Sequence, residues 1–201
     1  MPKISEERRA ARRAQILEAA WTCFQRQGLH ATTMDDIIRG SGLSAGAVYS
    51  YFPGKEDLIV AAVTTSLGDL RALFAPVLLG RPVPGPDELL RRIAGIVTSY
   101  TAHESYDLRR IALLGWAEAQ RNERLRETMR GFYLPFRERL EEVAAVWRSE
   151  GVVEADAGAA EIAKLIFAAI LGFVAQSAIL DDVAAADLGD GLRGLMREPP
   201  A

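Results

Sequence analysis

Apolar residues recur at helical spacing along most of the chain. The first such stretch places its apolar side chains at i, i+1, i+4, i+5 and i+8, as Ile16, Leu17, Ala20, Trp21 and Phe24. These positions share one face of an α-helix, so the pattern predicts a helix over about residues 5–27 that ends at Gly28. No segment of the sequence alternates between apolar and polar residues as a β-strand would. The pattern therefore predicts an all-α protein.

Two short helices are predicted directly after this one. Thr32 or Thr33 is suited to cap the start of the second helix, since a side-chain oxygen there accepts from an unpaired amide. Gly42 permits a tight turn, and Ser44 is placed to cap a third helix over about residues 45–51. A pair of short helices joined by a glycine turn is therefore expected here.

Six further helices follow from the remaining apolar stripes, for a total of about nine. Pro76 is expected to end the fourth helix of the chain, and Pro135 is expected either to kink the seventh or to mark its true start. The six lie at about residues 55–74, 89–100, 108–120, 125–147, 161–180 and 188–196.

The distribution of charge distinguishes the amino terminus from the rest of the chain. The net charge of the 201 residues is −3, but residues 1–13 carry five basic and two acidic side chains, a net charge of +3. Such a basic arm is typical of phosphate contact, and a solvated terminus is the alternative.

One cysteine and two histidines offer no disulfide framework and no zinc-ligand spacing, so no cofactor or metal is expected. The lack of a secretory signal favours the cytoplasm.

One segment resembles a membrane span. Residues 165–180 run for sixteen positions without a charge, which is shorter than the roughly 20 residues that a span needs. We interpret this segment as a helix buried in a core or a subunit interface, and we expect no membrane partner.

The two short helices indicate a helix-turn-helix, in which the second helix enters the major groove of DNA. Small residues at 44–46 allow close approach of the backbone, Tyr49 and Tyr51 project toward phosphates, and Lys55 adds a positive charge. The alternative is a hairpin of packed helices with core aromatics, which is the interpretation that we adopt for Phe52.

The segments GLHATTMDDI, residues 28–37, and GLSAGAVYSYFPGKEDL, residues 42–58, closely resemble the amino-terminal DNA-binding domain of TetR-family transcriptional regulators. The resemblance covers about a third of the chain. It implies a three-helix DNA-binding domain at residues 1–56 and a helical ligand-binding and dimerisation domain at residues 57–201. It also implies a homodimer on a pseudo-palindromic double-stranded DNA operator, with repression as the family's usual mode and no enzymatic activity.

By the same resemblance, a set of residues is expected to contact DNA: Thr33, Arg39, Ser44, Ala45, Gly46, Tyr49, Ser50, Tyr51 and Lys55. Ala45 and Ser50 depart from the family pattern, because many relatives have lysine or arginine near the first position and a larger aromatic or polar residue at the second. Arg39 is expected to supply a substitute contact.

The larger domain is expected to hold a small-molecule effector, namely an apolar molecule that is neutral or weakly charged. Candidate lining residues on helices predicted to converge are Tyr100, His103, Leu113, Trp116, Phe132, Tyr133, Phe136, Phe167, Ile170, Phe173 and Gln176; ordinary core packing is the alternative for each aromatic.

Residues 162–180 are expected to pair with the same residues of a second copy across a two-fold axis. The rival interpretations are an all-α enzyme, a membrane-surface protein and an adaptor with a relic helix-turn-helix.

Overall fold

The computed structural model describes residues 6–196, and within them it contains nine α-helices and no β-strand. The all-α prediction is confirmed. The helices are α1 (Glu6–Ala31), α2 (Met34–Ser41), α3 (Ala45–Tyr51), α4 (Lys55–Leu79), α5 (Pro86–Thr101), α6 (Leu108–Glu118), α7 (Glu123–Ser149), α8 (Ala159–Ile179) and α9 (Ala185–Met196). The predicted start of the first helix at residue 5 and Lys3 of the basic arm lie outside the described residues.

The first compact unit joins the described residues up to Ser66 with the segment His103–Thr128. Its core side chains come from α1 to α4, α6 and the first turns of α7, and include Ile16, Leu17, Phe24, Ile37, Val48, Phe52, Leu58, Ile111 and Leu125. Regular helix geometry breaks at Gly28, whose φ of 78° is in the region that favours glycine. The predicted interruption of the first helix at this residue is confirmed, and helical turns resume after it as far as Ala31.

The segment 103–128 is fastened to α1 by both ring and backbone contacts. The ring of Tyr106 is buried and lies 5.5 Å from that of Trp21, centroid to centroid, and the backbone amide of Asp107 donates to Gln25 Oε1. Burial raises the pKa of the Tyr106 hydroxyl. α6 is therefore packed as part of the helix-turn-helix unit.

The second compact unit consists of Leu67–Ala102 and the described residues from Met129 onward. Trp147 is fully buried in its core, and its indole Nε1 donates to Pro84 O at 2.9 Å. This bond satisfies the one polar atom of the ring. The other large core side chains of the unit include Phe74, Leu89, Leu90, Ile93, Val97, Leu140, Val143, Ile166, Ile170 and Phe173.

α9 is held against α5 by charge and by close backbone approach. Arg193 Nη2 lies 2.7 Å from Asp87 Oδ2, and Arg91 Nη2 lies 2.8 Å from Asp190 Oδ1. A Cβ at Gly189 would lie 2.8 Å from the Asp87 carbonyl oxygen, so a larger residue there would force the two helices apart.

The prolines do not end helices where the sequence predicted. α4 continues through Pro76 to Leu79, and α7 begins at Glu123, twelve residues before Pro135. The predictions of an end near residue 74, and of Pro135 as a helix start, are wrong. Pro76 and Pro135 are both exposed, where solvent is available to the carbonyl that loses its amide partner.

Two described helices, α4 and α8, are long and apolar enough to cross a membrane by length and composition alone. The length argument made from sixteen uncharged residues is wrong, because α8 is a helix of 21 residues. Its buried side chains, Ala163, Ile166, Ile170 and Phe173, lie in the core of the second unit. The other side of α8 is exposed, so burial in this core accounts for only part of its apolar composition.

Candidate functional site

α2 begins with a complete capping box. Thr33 N donates to Asp36 Oδ2 at 2.9 Å, while Asp36 N donates to Thr33 Oγ1 at 3.2 Å, so two backbone amides at the helix start are satisfied reciprocally. The Thr33 hydroxyl, which donates to Asp36 Oδ2 at 2.6 Å, the Thr33 amide and the adjacent Arg39 guanidinium together hold the pKa of Asp36 down at about 2. Thr33 is therefore the cap, whereas Thr32 is buried and donates to Gly28 O at 2.8 Å.

The turn between α2 and α3 has the geometry that the sequence predicted. Gly42 adopts φ 67°, and its amide donates to Arg39 O at 3.3 Å, which closes α2 in a left-handed cap. Ser44 then caps α3, since its Oγ accepts from Ala47 N at 3.3 Å. Two short helices with fixed starts and a fixed turn result.

α3 has one apolar buried face and one exposed face. Val48 is fully buried, and Tyr51 and Ala47 are half-buried. Four residues of α3 are exposed, namely Ala45, Gly46, Tyr49 and Ser50. At about 100° per residue these four fall within roughly 140° of one another around the helix, so they form a single surface, which we call the α3 face.

Lys55, at the start of α4, is a structural cation as well as a surface one. Its Nζ donates to His30 O at 2.9 Å and to Thr32 O at 3.0 Å, carbonyl oxygens that follow the break at Gly28. The ammonium has three donors, so one is not used by these two bonds. Sequence reasoning assigned Lys55 a phosphate contact only and missed this role.

A polar network that the sequence did not predict joins Asn122 and Arg124, at the start of α7, to the start of α4. Arg124 Nη1 lies 2.7 Å from Asp57 Oδ1, and Asn122 Nδ2 donates to Glu56 Oε1 at 3.2 Å. Both carboxylates are in the first turn of α4, directly after Lys55. We call these two contacts the α4 clamp.

The predicted effector residues are divided between the two units. His103, Leu113 and Trp116 belong to the first unit and the other eight to the second. His103 is exposed and stacks on the Tyr106 ring at a centroid distance of 4.4 Å. In the second unit, Tyr100 donates from its hydroxyl to Asp69 Oδ2 at 3.0 Å, Gln176 is exposed, and Ile170 and Phe173 are buried.

Three of the predicted residues form a continuous chain of ring contacts with Phe74. Phe136 lies 5.3 Å from Phe74 and 5.8 Å from Phe167, and Tyr133 lies 5.4 Å from Phe167. Except for Phe74, which is buried, these rings are half-buried. They link α4, α7 and α8 inside the second unit, and three of the four rings are partly accessible to solvent.

α8 and α9 carry large apolar side chains that are mostly exposed. Leu165 is 65% exposed, Ile179 69% and Leu195 85%. Leu165 and Ile179 lie fourteen positions apart on α8, which returns them to within about 40° of each other around the helix. We call the side of α8 with Leu165, Ala168 and Ile179 the apolar strip; the exposed Glu161 and Gln176 lie on the same side of the helix, and the opposite side is buried.

Sequence comparison identifies relatives of both parts of the chain. Residues 16–62 match the family of bacterial regulatory proteins, tetR family, and residues 86–192, more than half of the chain, match the BetI-type transcriptional repressor carboxyl-terminal family. YfiR of Bacillus subtilis (strain 168), an HTH-type transcriptional regulator, is 43% identical over 68 residues, 34% of this chain and 33% of YfiR. The HTH-type regulator BetI of Rhizobium meliloti (strain 1021) is 28% identical over 131 residues, 64% of this chain and 61% of BetI. The chain thus spans between a third and three fifths of these two curated relatives.

Solved structures of similar fold cover nearly the whole chain. GusR of Salmonella enterica superposes with a TM-score of 0.73 at 27% identity, over 97% of this chain and 99% of GusR. A transcriptional regulator of Saccharomonospora viridis, solved with choline, has a TM-score of 0.73 at 22% identity, over 93% and 96% of the two chains. FadR of Bacillus subtilis, solved with stearoyl-CoA, has a TM-score of 0.72 at 17% identity, over 90% and 96%. The last two likenesses concern the fold alone.

Proposed function

We propose that this chain, which belongs to the TetR family of transcriptional regulators and has a carboxyl-terminal domain of the BetI type, is a repressor that binds a pseudo-palindromic operator as a homodimer and is released by a small apolar effector. The α3 face, exposed next to a capped α2 and a fixed glycine turn, carries this proposal. We assign DNA binding to residues 1–56, and effector binding and dimerisation to residues 57–201. On this proposal the protein binds chromosomal DNA in the cytoplasm and catalyses no reaction.

Phosphate contacts on either side of the α3 face would come from hydroxyl and cationic groups. Tyr49 is 46% exposed on α3 itself, Tyr51 is half-buried beside it, and Lys55 has a donor beyond its two carbonyl bonds. Arg9 and Arg12 are exposed on α1 and extend the positive surface. Such contacts fix orientation on the duplex and make affinity fall steeply with salt.

The exposed apolar strip of α8 supports the proposed homodimer. An isolated apolar side chain on a surface is ordinary, but several on one side of a helix support an interface; Leu195 on α9 is a further exposed leucine. A second copy of this chain presents the same strip, and a two-fold axis lets like surfaces pair. Two α3 faces would then meet successive major grooves, as a palindromic operator requires.

The chain of aromatic rings in the second unit supports an apolar effector. Phe136 and Phe167 contact other rings on both sides, so separating them would open a cavity lined by apolar faces. An effector that fills this cavity releases DNA only if it prefers the released conformation, because equal affinity for both conformations shifts nothing. An acyl chain fits this chemistry.

A small quaternary ammonium compound is the second candidate effector. Aromatic faces attract such cations, and the regulator of similar fold from S. viridis was solved with choline. The variants Phe136→Leu and Phe167→Leu discriminate between the two. Both replacements preserve apolar surface but remove the ring face, so they weaken choline binding strongly and fatty-acid binding little.

The proposed function is tested by recovering genomic fragments bound by the purified protein and measuring their affinity against scrambled competitor. We expect one preferred palindromic site, dimer stoichiometry, and release on adding a fatty acid or choline. Tyr49→Ala should weaken binding, whereas His103→Ala, an exposed change outside the helix-turn-helix, should not. A monomer without preference for any fragment would refute the proposal.

A further inference from the structure

The α3 face is poor in groups that hydrogen-bond to bases. From Leu43 to Gly54 the sequence contains no acidic, basic or amide side chain. The specific bidentate contacts of the major groove need such side chains: arginine or lysine to guanine, and asparagine or glutamine to adenine. None of these contacts is available from α3.

The two serine hydroxyl groups near this face already take part in local hydrogen bonds. Ser50 donates from its hydroxyl to Ala47 O at 2.6 Å, and Ser44 Oγ accepts from Ala47 N at 3.3 Å. Both serines are therefore oriented by the helix. With Tyr49 assigned to a phosphate contact, the α3 face offers a base pair the Ala45 methyl group, next to a glycine that has no side chain.

Gly46 allows this methyl group to come close to the base edges. A Cβ at position 46 would meet nothing within 4 Å in the folded chain, so the fold does not need glycine there. Gly46 leaves the α3 face flat next to Ala45, and a flat surface can lie deeper in the groove.

We propose that the Ala45 methyl group recognises the C5-methyl group of a thymine, so that each operator half-site contains at least one thymine read through methyl contact. This inference rests on the proposed function and specifies the base chemistry of its operator. Among the base-edge groups of the major groove, the thymine methyl is the only apolar one, and Ala45 supplies its apolar counterpart. The remaining specificity comes from the shape of the duplex.

Arg39 is the alternative source of base recognition, because its side chain is 76% exposed. Its Nη2 donates to Asp36 Oδ1, the same carboxylate that closes the capping box of α2. A bidentate contact with guanine would have to compete with this ion pair. We therefore assign Arg39 to the phosphate backbone.

The test begins with an operator selected from random duplexes by the full-length protein. Each thymine of that operator is replaced singly by deoxyuridine, which removes only the methyl group, and affinities are measured by fluorescence anisotropy. We expect about a fourfold loss at one thymine of each half-site, the value of one buried methyl group.

Two variants of α3 connect this loss to Ala45. In Ala45→Gly the thymine and deoxyuridine operators should bind equally, because the methyl partner is gone. Ala47→Gly is the matched control: it makes the same substitution on the other side of α3, where Ala47 is half-buried, and should retain the fourfold difference. Thermal unfolding of both variants confirms that they are folded.

Two results would overturn the inference while leaving the proposed function intact: equal affinity for every deoxyuridine operator, or a fourfold loss that persists in Ala45→Gly. Loss of base preference in Arg39→Ala, with the thymine contacts unaffected, would contradict the assignment of Arg39 to the phosphate backbone and leave the inference about Ala45 supported. If the wild-type protein prefers no selected duplex over scrambled DNA, the proposed function fails and the inference fails with it.

Discussion

At the scale of single residues, Asp36 connects the stability of α2 to pH. Its pKa is about 2, below the ordinary 3.8, chiefly because Thr33 donates to the carboxylate from its hydroxyl and its amide. A lowered pKa means that folding favours the ionised form, so the stabilisation is complete above about pH 4 and is lost as pH falls toward 2. We expect wild type to be more stable than Asp36→Asn at pH 6, and the two melting temperatures to converge between pH 4 and 2.

The control for this prediction is Asp35→Asn. It removes the same charge from the same helical turn, and Asp35 does not take part in the capping box. A difference between wild type and Asp36→Asn that stays constant from pH 6 to pH 2 would contradict the role assigned to the ionised carboxylate.

Gly46 separates the requirements of folding from those of DNA binding. Alanine at position 46 meets open space in the folded chain and has the better helix propensity, so Gly46→Ala should leave stability unchanged or raise it by about 0.5 kcal/mol. On the operator the added methyl group should hold the helix away from the bases, at a cost comparable to one mismatched base pair, about 1–3 kcal/mol. Denaturant unfolding and anisotropy measure the two effects; retained affinity would contradict close approach at this position.

At the scale of helices, local signals were predictable from the sequence and long-range ones were not. Thr33, Ser44 and Gly28 act within a few residues of themselves, and their roles as caps and breaker follow from residue type. The predicted end of α4 near Pro76 was wrong, because an exposed proline can remain inside a helix that tertiary packing stabilises. The α4 clamp joins residues 66 and 67 positions apart, and no local pattern reveals such a pair.

In the candidate site, too, the features set by nearby residues were predictable from the sequence and the long-range contacts were not. The α3 face follows from the spacing of Ala45, Gly46, Tyr49 and Ser50, which places all four on one side of a short helix. The bonds of Lys55 to His30 O and Thr32 O depend on where the chain returns after Gly28, so residue type alone suggested only a surface cation.

The apolar strip of α8 gives a prediction about assembly. Leu165→Glu and Leu195→Glu place charges on side chains that are 65% and 85% exposed, so each variant should fold normally. If these side chains are buried between two copies, an unpaired charge there should dissociate the dimer. Light scattering after gel filtration measures the mass. Leu73→Glu, an exposed leucine on α4, is the matched control and should remain dimeric; unchanged mass in the α8 and α9 variants would argue for another interface.

At the scale of the whole molecule, the chain passes between the two units three times. The crossings follow Ser66, Ala102 and Thr128, so the segment 103–128 is connected at both ends to the unit with the aromatic rings and is packed in the unit with α3. A rearrangement of α5 or α7 on effector binding would therefore pull on this segment directly. The α4 clamp would pass that displacement to the start of α4, where Lys55 holds the residues that precede α2.

This arrangement predicts that the α4 clamp sets the strength of coupling between effector and operator. Arg124→Ala removes the partner of Asp57, an exposed ion pair worth at most about 1 kcal/mol of stability, so folding and operator affinity without effector should change little. Allosteric coupling between two binding sites is typically about 1–3 kcal/mol. We expect Arg124→Ala to lose much of this coupling free energy, so that the effector reduces operator affinity less than in wild type.

Arg126→Ala is the control, because Arg126 pairs with Glu123 on α7 itself. Anisotropy titrations with and without effector give the coupling factor, and by linkage the operator must weaken effector binding by the same factor. If Arg124→Ala and wild type release the operator at the same effector concentration, the displacement travels by another route, and the contacts of α6 with α1 are the next to be tested.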